Sequence, residues 1–151
     1  RTSSTPGSTA RINFYSVKLS AEKSCVFADL PGYGYSKNSS NQASKWNDLM
    51  NAYFERRTLS GVVYLCDVRR LPQKEEIKYL SQISNNTTIW LAVTKCDKLP
   101  RSKVTSNTLE ITKILAQGGI RPQATTQTSS LKQGLWVDTI KTLIFKHLDL
   151  I

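Results

Sequence analysis

Three short runs in this chain carry side chains with chemistry of their own. Asp29-Leu30-Pro31-Gly32 sets a carboxylate three positions ahead of a glycine. Such a carboxylate can hold a divalent cation through water, and such a glycine lets a backbone N–H approach a phosphate with no Cβ in the way. Thr94-Lys95-Cys96-Asp97 sets a lysine two positions before a carboxylate. A carboxylate accepts from the N1–H and N2–H2 donors of guanine. Adenine has neither and would leave it unpaired, a discrimination of roughly ten-thousandfold or more. The aliphatic stem of Lys95 can lie against the base. Ser129-Ser130-Leu131-Lys132 offers backbone N–H groups that could donate to guanine O6. Turns use Asp and Gly constantly, and a solvated loop can carry the same residue types. Neither carboxylate run decides the matter alone.

The elements that must position these runs follow from periodicity. Residues 1–10 are polar loop, and residues 12–19 alternate apolar and polar, which predicts a half-buried strand. Residues 25–28 form a continuous apolar run, as in a fully buried strand, and 30–38 is a loop marked by Pro and Gly. Trp46, Leu49, Met50, Tyr53 and Phe54 fall on one helical stripe. Gly61 opens a second buried strand over 62–66, and Pro72 suits the start of a shorter helix through Leu80. Residues 89–93 form a third buried strand. A helix over 103–117 closes at Gly118-Gly119. A weak strand lies near 124–128, and a last helix puts Trp136, Ile140, Leu143, Ile144 and Leu148 on one stripe. After the opening hairpin, strands alternate with helices. That order predicts an α/β sandwich with a mainly parallel sheet. Ligands bind such sheets at the carboxyl ends of the strands, and each of the three runs follows a strand end.

Composition narrows the class. A chain of 151 residues is one domain's worth and can bury a core without disulfides. With 39% hydrophobic residues it is not a disordered chain. No apolar run approaches the roughly 20 residues of a membrane helix, and the polar start does not resemble a signal peptide. The net charge of +10 favours an anionic partner, though Lys-rich solvated faces would give the same excess. Cys25, Cys66 and Cys96 are odd in number and form no CxxC pair, which points to a reducing compartment and no metal site.

Taken together, the runs are recognisable. Asp29-Leu30-Pro31-Gly32-Tyr33-Gly34-Tyr35-Ser36-Lys37 resembles the signature of the EngB family of GTPases, also called YihA or YsxC, within the Era/EngA-like ribosome-assembly GTPases. Thr2-Ser3-Ser4-Thr5-Pro6-Gly7-Ser8-Thr9 followed by Ile12-Asn13-Phe14 is similar to that family's first switch. Trp46, Arg57, the strand through Asp67 with Arg69 after it, and Thr94 to Leu99 fit as well. The resemblance implies a Ras-like P-loop GTPase sandwich that binds GTP or GDP with Mg2+. It implies that Thr9 gives a hydroxyl to Mg2+ and an N–H to the γ-phosphate, with Gly7 beside it. Asp29 would hold Mg2+ through water, Gly32 would sense the γ-phosphate, and Leu30 and Pro31 would line the same loop. Lys95 and Asp97 would hold guanine, helped by Thr94, Ser129 and Ser130. Ser8 stands where the family places a basic residue, which lowers the local charge.

The implied role is a GTP switch that assists assembly of the large ribosomal subunit, with a family link to cell division and septation. The implied partner is that subunit or its rRNA, not DNA or a membrane. A monomer in the cytoplasm, or in an organelle matrix, is the matching expectation. Arg56-Arg57 and Arg69-Arg70 are candidates for rRNA phosphates or simply solvated charges. The lone His147 reads as structural. Tyr33 stands where many GTPases carry a water-orienting glutamine, so hydrolysis should be slow. No GxxxxGKS or GxxxxGKT occurs in the sequence. The expectation is a chain whose first strand and P-loop precede Arg1, inactive as a GTPase without them. The strands at 25–28 and 62–66 would then either stay unpaired on their facing edges or slide together. The alternative is a degenerate, non-catalytic relative that uses its basic faces on RNA or the ribosome.

Overall fold

The computed structural model describes residues 11–18, 20–32, 40–56, 58–129 and 135–149. In chain order the elements are β1 (Asn13–Lys18), β2 (Ser24–Asp29), α1 (Ser40–Phe54), β3 (Gly61–Asp67), α2 (Lys74–Ser84), β4 (Thr88–Thr94), α3 (Arg101–Gln117), β5 (Ala124–Gln127) and α4 (Leu135–His147). A 3-10 turn at Cys96–Lys98 separates β4 from α3. The chain forms two compact units, one up to Thr58 and one from Leu59 to Asp149.

In the first unit β1 and β2 pair antiparallel, from Asn13↔Asp29 to Lys18↔Ser24. On α1, Trp46 and Met50 are buried. Phe14 meets Tyr53 at 6.3 Å between ring centroids, and the Arg56 guanidinium lies over both rings. The ribbon is much less buried than its sequence predicts. Phe14 and Tyr15 are 54% and 56% exposed, and Val26, in the run expected to be fully buried, is 65% exposed. A two-stranded ribbon has two faces, and among the described residues its unit supplies one helix, so the apolar side chains outnumber the described surfaces that cover them.

The second unit has the parallel sheet the sequence predicts, in the order β3-β4-β5. Strand β4 lies in the middle, and Ile89, Trp90, Leu91, Ala92 and Val93 are all buried. A strand buried on both faces needs helices on both, and two contacts show them. Gln127, in register with Val93, donates its amide to Thr108 of α3 at 3.1 Å. Trp90, which points the other way because side chains alternate, meets the His147 ring of α4 edge-on at 5.1 Å. Helix α3 therefore covers one face and α4 the other. Val104, Thr108, Ile111 and Leu115 make the buried stripe of α3 at helical spacing. Gly61 begins β3 because a Cβ there would collide with the Trp90 ring.

Several boundaries shift from the sequence reading. Helix α2 starts at Lys74, two residues after Pro72, because Gln73 and Glu76 form a capping box. Helix α3 starts at Arg101, with Pro100 at its N-cap. Strand β3 is only partly buried, and Leu65 is 62% exposed; among the described residues it sits at the sheet edge, paired to β4 alone. Strands β2 and β3 belong to different sheets. Among the described residues no ladder joins the two.

Candidate functional site

The second unit builds a tight corner at the carboxyl ends of its strands. Strands β3 and β4 finish level, Asp67 beside Thr94. The Thr94 hydroxyl donates to the Cys66 carbonyl at 3.3 Å, and Val68 N–H donates to the Thr94 carbonyl at 3.0 Å. Lys95 then turns the chain in the left-handed region, φ 58° and ψ 33°. That conformation costs an L-residue about 1–2 kcal/mol, so surrounding bonds must hold it. They do: Lys98 N–H closes on the Lys95 carbonyl at 3.0 Å, and Cys96 N–H donates to the Thr128 carbonyl at 3.0 Å. Thr128 N–H donates in turn to the Val93 carbonyl at 2.6 Å. This strap ties the end of β5 to the turn, and it brings Asp97 and Ser129, each one residue further along, to the same corner.

Charges at this corner are arranged around Asp67. Its Oδ1 accepts from Arg69 N–H at 3.0 Å and from Arg69 Nε at 2.9 Å, and its Oδ2 accepts from Arg69 Nη2 at 2.7 Å. Lys95 Nζ reaches the same Oδ2 at 3.1 Å. These bonds, the Arg69 guanidinium foremost and Lys95 adding to it, hold the Asp67 carboxyl well below the usual carboxylate range. Asp97 pairs with Lys98 at 3.1 Å and keeps 27% of its side chain exposed. Burial pushes the Cys96 and Cys66 thiols up, so neither is a thiolate nucleophile at neutral pH.

In the first unit, Asp29 ends β2 and is exposed. Leu30 is half-buried and Pro31 is buried. The Trp46 indole Nε1 donates to the Pro31 carbonyl at 3.0 Å, which fixes the run to α1. Gly32 is exposed, its φ lies outside the left-handed region, and a Cβ built on it would meet nothing within 4 Å. Among the described residues, neither its φ nor its packing calls for a glycine. Among the described residues no three His, Cys, Asp or Glu cluster to hold a metal ion. Asp29 offers one hard carboxylate, which suits Mg2+ held through water rather than caged by protein. Gly7, Thr9 and Ser130 lie outside the described residues, as do Tyr33 and Arg57.

Other candidates resolve differently. Arg69 and Arg70 are not free cations: Arg69 is engaged by Asp67, and Arg70 makes a two-pronged pair with the buried Glu76, both bonds at 2.7 Å. Each basic residue has a carboxylate within the same loop and helix start, and each keeps nearly half of its side chain exposed. His147 meets Trp90 and lies 3.3 Å from the Ser60 carbonyl, in keeping with a structural role. A concavity of about 520 Å3 between Ser84–Ile89 and Gly119–Gln123 lies at the opposite end of β4 and contains none of the predicted site residues. Sequence reasoning left Asp67 out of the site and read Trp46 for its place on the helix stripe. The signals were there: Asp67 ends a parallel strand on the ligand rim, and a buried indole N–H needs an acceptor.

Comparison with known proteins supplies an independent line. The model of the family described as 50S ribosome-binding GTPase matches residues 1–95. The probable GTP-binding protein EngB of Desulfatibacillum aliphaticivorans is 40% identical over 117 residues, 76% of this chain and 55% of that protein. Its counterpart in Lactiplantibacillus plantarum is 42% identical over 105 residues, 68% of this chain and 51% of that protein. The chain thus spans about half the length of the curated relatives it matches. In structure it is similar to the translation elongation factor SelB of Methanococcus maripaludis, solved with the GTP analogue GppNHp. The TM-score is 0.65 at 18% identity, covering 93% of this chain and 28% of that one. That likeness shows the fold: the α/β arrangement of a GTPase.

Proposed function

Because the chain belongs to the 50S ribosome-binding GTPase family, and within it to the EngB proteins, we propose that it holds guanine nucleotide as part of a GTP-driven switch in assembly of the large ribosomal subunit. The observation that carries this reading is the strapped corner at the end of β4. Cys96 N–H on the Thr128 carbonyl ties two strand ends together, and Asp97 and Ser129 share the result. There Asp97 accepts from the guanine N1–H and N2–H2, backbone N–H groups at Ser129 and Ser130 meet O6, and the Lys95 stem covers the base. Thr94 anchors the turn through its hydroxyl. On the phosphate side, Gly32 gives its N–H to the γ-phosphate, with Leu30 and Pro31 shaping the loop. Asp29, through water, and Thr9, by its hydroxyl, hold Mg2+, with Gly7 beside it. Mg2+ there would neutralise charge on the phosphate oxygens. GTP hydrolysis serves as the timer, and the charge of +10 favours an rRNA-rich partner.

The test is base choice in the complete protein. GDP should bind at least about a thousandfold more tightly than ADP, because the Asp97 carboxylate, once covered by adenine, is left unpaired. Asp97→Asn should move the preference toward xanthosine diphosphate. Equal affinity for GDP and ADP overturns the guanine assignment. Cosedimentation with large subunits, strong at low salt and weak at high salt, tests the partner; no binding at low salt with a GTP analogue present counts against it.

A further inference from the structure

We propose that Asp67 is a positioning residue for guanine recognition, acting through Lys95. This rests on the guanine reading above and adds to it a residue on the neighbouring strand. Two independent observations point the same way. Lys95 stands in the left-handed region, φ 58°, where a lysine does not rest without support. Its ammonium, free to take water on a rim where it is 57% exposed, instead returns across the strand end to Asp67 Oδ2 at 3.1 Å.

Asp67 is built for that task. Three donors of Arg69, the backbone N–H, Nε and Nη2, fix both carboxylate oxygens at 2.7–3.0 Å. A lone aspartate on a strand end would swing between rotamers; this one is clamped by Arg69 beside its bond to Lys95. The carboxylate carries two cations, Arg69 and Lys95, so the cluster keeps a net positive charge toward an anionic ligand. Asp97 stands close enough to favour the charged form of Arg69, though less than Asp67 does. The base-reading carboxylate and the clamp thus belong to one electrostatic group. In the guanine reading the Lys95 stem covers the base that Asp97 holds, and the bond from Asp67 to the ammonium sets where that stem lies.

A double-mutant cycle in the complete protein, read as GDP affinity by titration, decides the point. Asp67→Asn keeps the shape and removes the charge that holds Lys95; it should weaken GDP about three- to fivefold, the scale of a partly exposed ion pair. Lys95→Met keeps a stem without an ammonium and should lose a similar factor. The two together should lose no more than Lys95→Met alone. If the losses multiply instead, Asp67 does not act through Lys95 and the inference is overturned; it is equally overturned if Asp67→Asn binds GDP as the parent does. Should Asp67→Asn fail to fold, Arg69→Met unclamps the same carboxylate without removing it. About a twofold loss, absent in the Lys95→Met background, supports the clamp; no loss overturns it. A parent protein that does not prefer GDP to ADP fails the guanine reading itself, and that result is separate from any variant.

Discussion

Residues 25–28 and 89–93 are both unbroken apolar runs, and by pattern alone both predict a strand buried on two faces. The structure treats them differently. In β4, Leu91 and Val93 are fully buried, whereas in β2, Val26 is 65% exposed and Phe27 38%. What differs is the company each strand keeps. Strand β4 has β3 on one side, β5 on the other, and a helix on each face. Strand β2 has β1 alone as a ladder partner among the described residues. An apolar run states a demand for cover, and only the neighbours decide whether it is met. The same difference divides the candidate site. The Thr94–Asp97 turn is braced by several backbone and side-chain bonds of the second unit, while among the described residues the Asp29–Gly32 run is held by the end of the β1–β2 ladder and the Trp46 indole.

The largest effect should come from opening the two strands equally. Leu91→Ala removes a side chain with no exposed surface and should cost about 2–5 kcal/mol. Val26→Ala should stay within about 0.5 kcal/mol, as exposed substitutions do. The two glycines repeat the contrast. Gly61→Ala drives a methyl into the Trp90 ring and should cost about 1–3 kcal/mol. Gly32→Ala meets nothing and should leave stability within about 0.5 kcal/mol while weakening GTP binding. Urea unfolding of the four variants is the measurement. Equal losses at Leu91 and Val26 would break the comparison.

That contrast also explains what the sequence could and could not reveal. Strand β4 was legible because pattern and environment agree there, a continuous run in mid-sheet, and the end of helix α3 because Gly118-Gly119 caps it. The turn at 94–97 was legible because residue type, spacing and position at a strand end converge. The exposure of Phe14 and Val26 was not, because alternation says which residues share a face and never what lies opposite. The start of α2 was misplaced because Pro72 is acceptable one step outside a cap as well as inside a helix, and the Gln73–Glu76 box decides between them. Asp67 was hidden for another reason. Its partner Lys95 is 28 residues away, and only strand register brings the two side by side.

A smaller effect should sharpen the contrast within the first unit. The Trp46 indole bonds α1 to the Asp29–Gly32 run. Trp46→Phe keeps most of the buried ring and removes the N–H, leaving the Pro31 carbonyl without that donor. The expected cost is about 1 kcal/mol of stability, with GTP-analogue binding weakened more than binding of GDP, since the run faces the γ-phosphate in the proposed switch. If the variant loses affinity for GDP and the GTP analogue alike, the run does not serve the γ-phosphate selectively.

The smallest effect concerns pH and belongs to the braced corner. Asp67 has its carboxyl pKa depressed in the folded chain by Arg69 first and Lys95 with it. A depressed acid contributes stability that is fully present above its unfolded value, about 3.9, and is lost as pH falls through the folded value. The contribution should therefore be constant from pH 8 to 5 and decline below about pH 4. The partners are 49% and 57% exposed, so solvent and salt screen the pair, and the contribution should shrink further at high ionic strength. The measurement is the stability difference between the parent and Asp67→Asn, followed from pH 8 to 3. It should be flat across the neutral range and narrow on the acid side, while Val26→Ala, with no titrating group involved, shows no such narrowing. A difference that instead widens as the pH falls would mean that the ionised Asp67 is held at a cost, and the corner would then be a strained site rather than a braced one.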